Sequence, residues 1–151
     1  MEPAVQTEDI RKKLDDYKEI IIRFADLLRK ENQALSEYDT FGVSEMYEQK
    51  AQIVTVYRSL VAFFLKNQQI LQALLPEEKQ QLRENTQQLD ELMQKNKILL
   101  QTRMETSKSV IGSIVNAAKM MSNTNSTAYG ARGNYSPINT HDSAIAINRT
   151  L

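Results

Sequence analysis

The side chains that most often carry enzymatic chemistry are scarce in this sequence. It contains no cysteine, and its one histidine is His141, near the C-terminal end. A zinc site, a cysteine nucleophile and a serine–histidine pair therefore all lack their defining residues. No glycine-rich phosphate loop is present either. These absences predict a protein that is not an enzyme and that needs no cofactor or metal.

Carboxylates are the remaining candidates, because paired acids can act as general acid and base or can ligate iron. Adjacent acids point in different directions on a helix, and only pairs three or four residues apart share a face. The pairs considered are Asp15 with Asp16, Glu77 with Glu78, Asp90 with Glu91, and Glu45 with Glu48. No Glu-x-x-His motif accompanies them, so we interpret them as solvated helix surface.

Charge and hydropathy limit the classes of partner. Lys and Arg together number 19 and so do Asp and Glu, which gives no general attraction to nucleic acid or to an anionic membrane. The N-terminal segment is polar, and polar residues interrupt the densest apolar stretch, residues 53–75. Neither a signal peptide nor stable membrane insertion is expected. The sequence therefore predicts a cytoplasmic protein that binds other proteins.

Three apolar stripes with spacings of three and four residues predict three helices, over about residues 8–38, 44–74 and 76–121. Thr7 is the expected N-cap of the first helix, and Tyr38 is expected to end its stripe, which Ile20, Ile22 and Leu27 widen. A second row beside the stripe of the second helix contains Tyr47, Val54, Val61 and Leu65.

Two breaks separate the stripes. In the first, Gly42 is expected to take a positive φ and Ser44 to cap the next helix; in the second, Pro76 suits a first helical turn. The predicted fold class is all-α, an antiparallel three-helix bundle or coiled coil with a long C-terminal helix. We predict that residues 1–121 form the bundle and that residues 122–151, which lose the apolar period, form a flexible tail.

Polar residues interrupt the stripes at Lys50, Asn67, Asn96 and Arg103. Buried polar groups at such positions can fix the register of helices at a cost in stability. The alternative is that these side chains lie at the edge of the bundle and reach water. The sequence favours neither interpretation.

The end of the last helix differs from the rest. That helix is the longest, so its final turns should extend beyond its neighbours, and residues 107–121 are small, apolar and poor in charge. The predicted binding face comprises Val110, Ile111, Ile114, Val115, Ala118 and Met121. An exposed apolar stripe of this kind usually marks an interaction site.

Several short segments occur in an order that is similar to that of the FlgN family, the cytosolic export chaperones of the hook-associated junction proteins of the bacterial flagellum. In chain order they are residues 27–35 (Leu-Leu-Arg-Lys-Glu-Asn-Gln-Ala-Leu), Asp39, Lys50, Arg58, residues 96–100 (Asn-Lys-Ile-Leu-Leu) and residues 129–133 (Tyr-Gly-Ala-Arg-Gly). The resemblance covers about residues 27–133. The loop at residues 40–43 is longer than the family's tight turn, and residues 134–151 have no counterpart.

The resemblance implies a function. In such chaperones the end of the last helix binds the amphipathic terminal helices of hook-associated proteins, which keeps them unassembled until they reach the export gate and its ATPase complex. The six residues of the predicted binding face would then contact the cargo. Tyr129 would dock the chaperone at the gate.

A second interpretation needs no cargo. The chain would be a structural or adaptor coiled-coil protein, and a homodimer would bury the apolar stripe of the last helix against a second copy. An enzyme built in a bundle core is the third interpretation, and the lack of cysteine and of a helical histidine argues against it.

Overall fold

Residues 3–122 are described by a computed structural model of the chain. This part contains helices and no strand, so the predicted all-α class is confirmed. The helices are α1 (Pro3–Ser36), α2 (Thr40–Lys66), α3 (Gln68–Gln72) and α4 (Pro76–Ser122). None of them is both long and apolar enough to span a membrane.

The central element is α1, which packs against both α2 and α4. Tyr17 of α1 contacts Phe64 of α2, and Glu31, further along α1, pairs with Lys50, so the two helices are antiparallel. By contrast, α4 runs parallel to α1, because Arg11 pairs with Glu78 near the start of both helices. The three long helices therefore run up, down and up.

The core lies between these three helices and is continued by α3. Its fully buried large side chains include two tyrosines as well as aliphatic residues, and α3 contributes Leu71. Those exposed by less than 2% are Tyr17, Ile21, Leu28, Tyr57, Phe64, Leu71, Leu82, Thr86 and Leu89. Burial of this apolar surface is the main force that holds the helices together.

Both ends of α1 differ from the prediction. The helix begins at Pro3, because a proline suits the first turn, and Thr7 lies inside it rather than at its N-cap. It ends at Ser36, where Tyr38 adopts φ 60° and the N–H groups of Tyr38 and Asp39 bond to the carbonyls of Leu35 and Ala34. This is a Schellman turn, in which tyrosine occupies the position that glycine usually takes.

The turn between α1 and α2 is correspondingly shorter than expected. Asp39 is the N-cap of α2, and its Oδ1 accepts the backbone N–H of Gly42 at 2.9 Å. Gly42 has no positive φ, and Ser44 is not a cap. The glycine instead leaves room for the capping side chain: a Cβ at this position would lie 2.3 Å from Asp39 Oδ2, so the Asp39 carboxylate would have to shift.

The predicted second helix is divided at Asn67. The Asn67 side chain donates to the carbonyl of Phe63 at 2.8 Å, and its backbone adopts φ −127°. Asparagine competes for backbone carbonyls in this way and so interrupts helices. Three apolar residues assigned to the stripes of the first two predicted helices are exposed: Ile22 (51%), Tyr38 (70%) and Tyr47 (62%). Phe63, which belongs to neither apolar row of the second predicted helix, is half-buried against the core.

A polar network joins all three long helices near the end of α1. Lys50 Nζ lies 2.9 Å from the Glu31 carboxylate and donates to Asn96 Oδ1 at 3.0 Å. Asn96 Nδ2 donates to Asn32 Oδ1 at 2.9 Å, and Asn32 Nδ2 donates to the carbonyl of Leu92. Glu31, Asn32 and Asn96 are buried. Lys50 and Asn96 therefore form polar contacts inside the bundle that can fix the register of the helices, rather than reaching water at its edge.

Removing the lysine of this network should be costly. We expect Lys50→Met to lower the free energy of unfolding by about 3–5 kcal/mol, because the Glu31 carboxylate would stay buried without its cation. The matched control is Lys95→Met, which changes an exposed lysine of α4 and should have almost no effect. Equal shifts of the urea midpoint in both variants would contradict the prediction.

The buried tyrosines should make the bundle sensitive to alkali. Burial raises the pKa of Tyr17 and of Tyr57, and the charge of Asp90 raises the pKa of both further. The folded protein therefore holds these protons more tightly than the unfolded chain, so stability is retained below about pH 10 and falls above it. We expect Tyr57→Phe to lose less thermal stability than the wild type between about pH 9 and about pH 12. Tyr47→Phe, at an exposed position, should follow the wild type.

Candidate docking surface on α4

The candidate site is the part of α4 that extends past the other helices. The structure gives α4 47 residues, against 34 in α1 and 27 in α2. Arg103 lies level with the end of α1, because it contacts the carbonyl of Leu35. Residues 104–121, which we call the α4 extension, continue for about 27 Å beyond that level at the usual helical rise.

Arg103 fastens the base of the extension to the bundle. Its Nε donates to the Leu35 carbonyl at 2.8 Å, and Nη2 donates to the same oxygen. The guanidinium also lies 3.5 Å from the centre of the Tyr38 ring. One side chain thus bonds to a carbonyl in the last turn of α1 and lies against one face of the Tyr38 ring.

The predicted binding residues form a largely exposed stripe on the extension. Each of them lies three or four residues from at least one other, which places the six along one side of a helix. Their exposed fractions are Val110 54%, Ile111 51%, Ile114 63% and Met121 90%, while Ala118 is exposed and Val115 half-buried. A Cβ at Gly112, within the same segment, would have no neighbour within 4 Å.

This stripe is the continuation of the face that α4 buries in the bundle. Two rows with seven-residue spacing run from the core into the extension. They are residues 82, 89, 96, 103 and 110, and residues 86, 93, 100, 107, 114 and 121. Leu82, Thr86, Leu89, Met93 and Asn96 in these rows are buried, whereas Val110, Ile114 and Met121 are exposed. The rows change from buried to exposed because α1 ends at this level, while the seven-residue spacing of α4 continues unchanged.

The sequence prediction missed two features of this surface. Met104, at the base of the extension, is 41% exposed and adds a flexible apolar side chain to the stripe. Tyr38 was assigned to the core but lies at the junction between the turn and the extension, 70% exposed. The position of Met104, seven residues before Ile111, could have revealed it; nothing local marks Tyr38.

The arrangement provides exposed apolar area along one side of the α4 extension. Within residues 3–122 no cluster of three or more histidine, cysteine or acidic side chains is placed to hold a metal ion. A partner helix could lay its own apolar side along the extension, as in helix-in-groove recognition. Tyr129 and the predicted flexible tail, apart from Ser122, lie outside the described residues.

Three of the segments that carry the family resemblance meet in space. Glu31 and Asn32 of the first segment, Lys50, and Asn96 of the later segment are the four side chains of the buried polar network. The presence of these residues in the resembling segments is therefore explained by the contacts that they make between helices. Comparison with known proteins adds no relative: no protein-family model, curated protein or solved structure matches the chain.

Loss of Arg103 should loosen the base of the extension. We expect Arg103→Ala to lower the free energy of unfolding by about 2 kcal/mol, since a charged hydrogen bond and a cation–π contact are lost together. Amide exchange at residues 37–39 should accelerate. The control is Lys97→Ala, at an exposed position on the same helix, which should change neither the free energy of unfolding nor the amide exchange. The expectation fails if the two variants are indistinguishable.

Proposed function

We propose that the protein is an export chaperone of the FlgN type, which binds hook-associated proteins through the α4 extension. The observation that carries the proposal is the exposed apolar stripe, with Ile114 at 63% exposure in the same helix that buries Leu89 completely. Soluble helices rarely leave such a face open unless something binds there.

The side chains of the stripe suit a helical ligand. Val110, Ile111 and Ile114 supply branched apolar surface, and Met104 and Met121 supply flexible surface that adapts to different shapes. Small residues such as Ala118 allow a second helix to approach closely. The mechanism would be mass action, in which the bound helix of the cargo is withheld from assembly until release.

The cytoplasm is the compartment in which such a chaperone would act. After binding cargo it would deliver it to the export gate and its ATPase complex. By the family resemblance, Tyr129 would make the gate contact. No nucleic acid, membrane, cofactor or metal takes part in this scheme.

The decisive variant is Ile114→Asp, tested by calorimetric titration with a hook-associated protein. We expect binding to weaken by several kcal/mol, because a carboxylate would be desolvated without a partner, while the melting temperature stays unchanged. Ser113→Asp, exposed beside it but outside the stripe, is the matched control and should bind normally. Leu89→Asp should unfold the protein. If Ile114→Asp melts as early as Leu89→Asp, the segment belongs to the core and the proposal fails.

Two further results separate the proposal from its alternatives. Tyr129→Ala should leave cargo affinity intact and reduce delivery in an export assay. Sedimentation of the wild-type chain tests the adaptor interpretation. A dimer that Ile114→Asp converts to a monomer, together with no binding of hook-associated proteins, would replace the chaperone by a self-associating coiled-coil protein.

A further inference from the structure

The charge of the α4 extension departs from that of the whole chain. The chain has equal numbers of basic and acidic residues, yet Glu105 is the last acid of α4. Residues 106–121 contain Lys108 and Lys119 and no carboxylate, and both lysines are exposed. Neither forms an ion pair within the part of the chain that the structure describes.

The two lysines lie on one edge of the apolar stripe. They are eleven residues apart, close to three helical turns, so they project in nearly the same direction about 16 Å from each other. Lys108 precedes Ile111 by three residues and Lys119 follows Val115 by four, which makes each a neighbour of the stripe. The other edge, beside Val110, carries Thr106, Ser113 and Ala117, and none of these is charged.

This one-sided charge discriminates between possible occupants. In an antiparallel two-fold dimer the same edges meet, so the lysines of one copy would face those of the other. In a parallel dimer they would face an uncharged edge. An anionic membrane normally requires a cluster of about four to eight basic residues, and the extension offers two.

We propose that the helix bound by the α4 extension is amphipathic and carries acidic residues along the edge that faces Lys108 and Lys119. The inference rests on the proposed function and specifies its ligand. An acidic edge supplies the carboxylates that residues 106–121 lack, and it sets the rotational position of the bound helix on the stripe. Charge complementarity of this kind mainly determines specificity and association rate.

The test uses three synthetic peptides of about 18 residues, the length that matches the extension. They share one apolar stripe and differ at the edge, which holds glutamate, glutamine or lysine. Titrated into the full chain at low salt, the glutamate peptide should bind about fivefold more tightly than the glutamine peptide, and the lysine peptide about fivefold more weakly, as two exposed ion pairs would give. Concentrated salt should remove the differences.

Charge reversal assigns the effect to the two lysines. In the Lys108→Glu, Lys119→Glu double variant the lysine peptide should bind best. The matched control, Lys12→Glu with Lys95→Glu, makes the same change in net charge at exposed positions away from the extension and should keep the original order.

The outcomes separate this inference from the function on which it rests. Equal affinity of the glutamate and glutamine peptides would contradict the proposal that the bound helix has an acidic edge, but it would agree with the α4 extension as a docking surface. Failure of all three peptides to bind would remove the docking surface as well. Dimerisation through the stripe, or binding to phosphatidylserine vesicles that Ile114→Asp abolishes, would also overturn the inference, since the occupant would then be a second copy or a membrane.

Discussion

The inner face of α4 keeps its seven-residue spacing to the end of a helix that is longer than α1 and α2, so these two helices cannot cover it along its whole length. The rows that bury Leu82 and Leu89 continue through Val110 without a change of spacing. α1 ends at Ser36, so the inner face of α4 changes from core to surface over about two turns, between buried Asn96 and exposed Met104. The exposed stripe is thus the inner face of the same bundle, left without neighbours.

The position of that change depends on axial register, which polar contacts determine. Apolar stripes tolerate a slip of one heptad, because every seventh residue is again apolar. The contacts of Lys50 with Glu31 and Asn96 do not tolerate such a slip, because it would leave the Glu31 carboxylate buried without a cation. Together with the bond from Arg103 to the Leu35 carbonyl, they fix how much of α4 extends beyond the bundle.

The base of the α4 extension is joined to the bundle, whereas its apolar stripe is exposed. Arg103 joins α4 to the terminus of α1 and to Tyr38, which holds the start of the extension in a defined direction. Beyond it, Val110 and Ile114 present apolar surface that a partner helix would desolvate, with Lys108 and Lys119 at one edge. A surface built in this way suits a partner whose helix is amphipathic and whose edge is charged.

The sequence by itself determined the all-α class, the three long helical segments and the apolar stripe of the extension, because helical periodicity is a local property that spacing alone expresses. It did not predict the division of the second segment into α2 and α3 at Asn67. It also predicted the residues of the stripe, from Val110 to Met121. It did not determine where α1 ends, since Tyr38 is an unusual residue for a positive φ. Arg103, which lies against the Tyr38 ring and bonds to the Leu35 carbonyl, is 68 residues away from Leu35 in the sequence.

Tertiary structure alone decided the roles of the polar residues. Glu31 is a charged residue between apolar Leu28 and Leu35 of α1. It is buried because Lys50 contacts it from a second helix, and Asn96 on a third helix accepts a hydrogen bond from Lys50. Asn67 is also a polar residue in an apolar stripe, but its side chain bonds to the carbonyl of Phe63 in the same helix, and α2 ends there. Periodicity assigns each of these residues to a helix face, but only the register between helices decides which polar atoms meet.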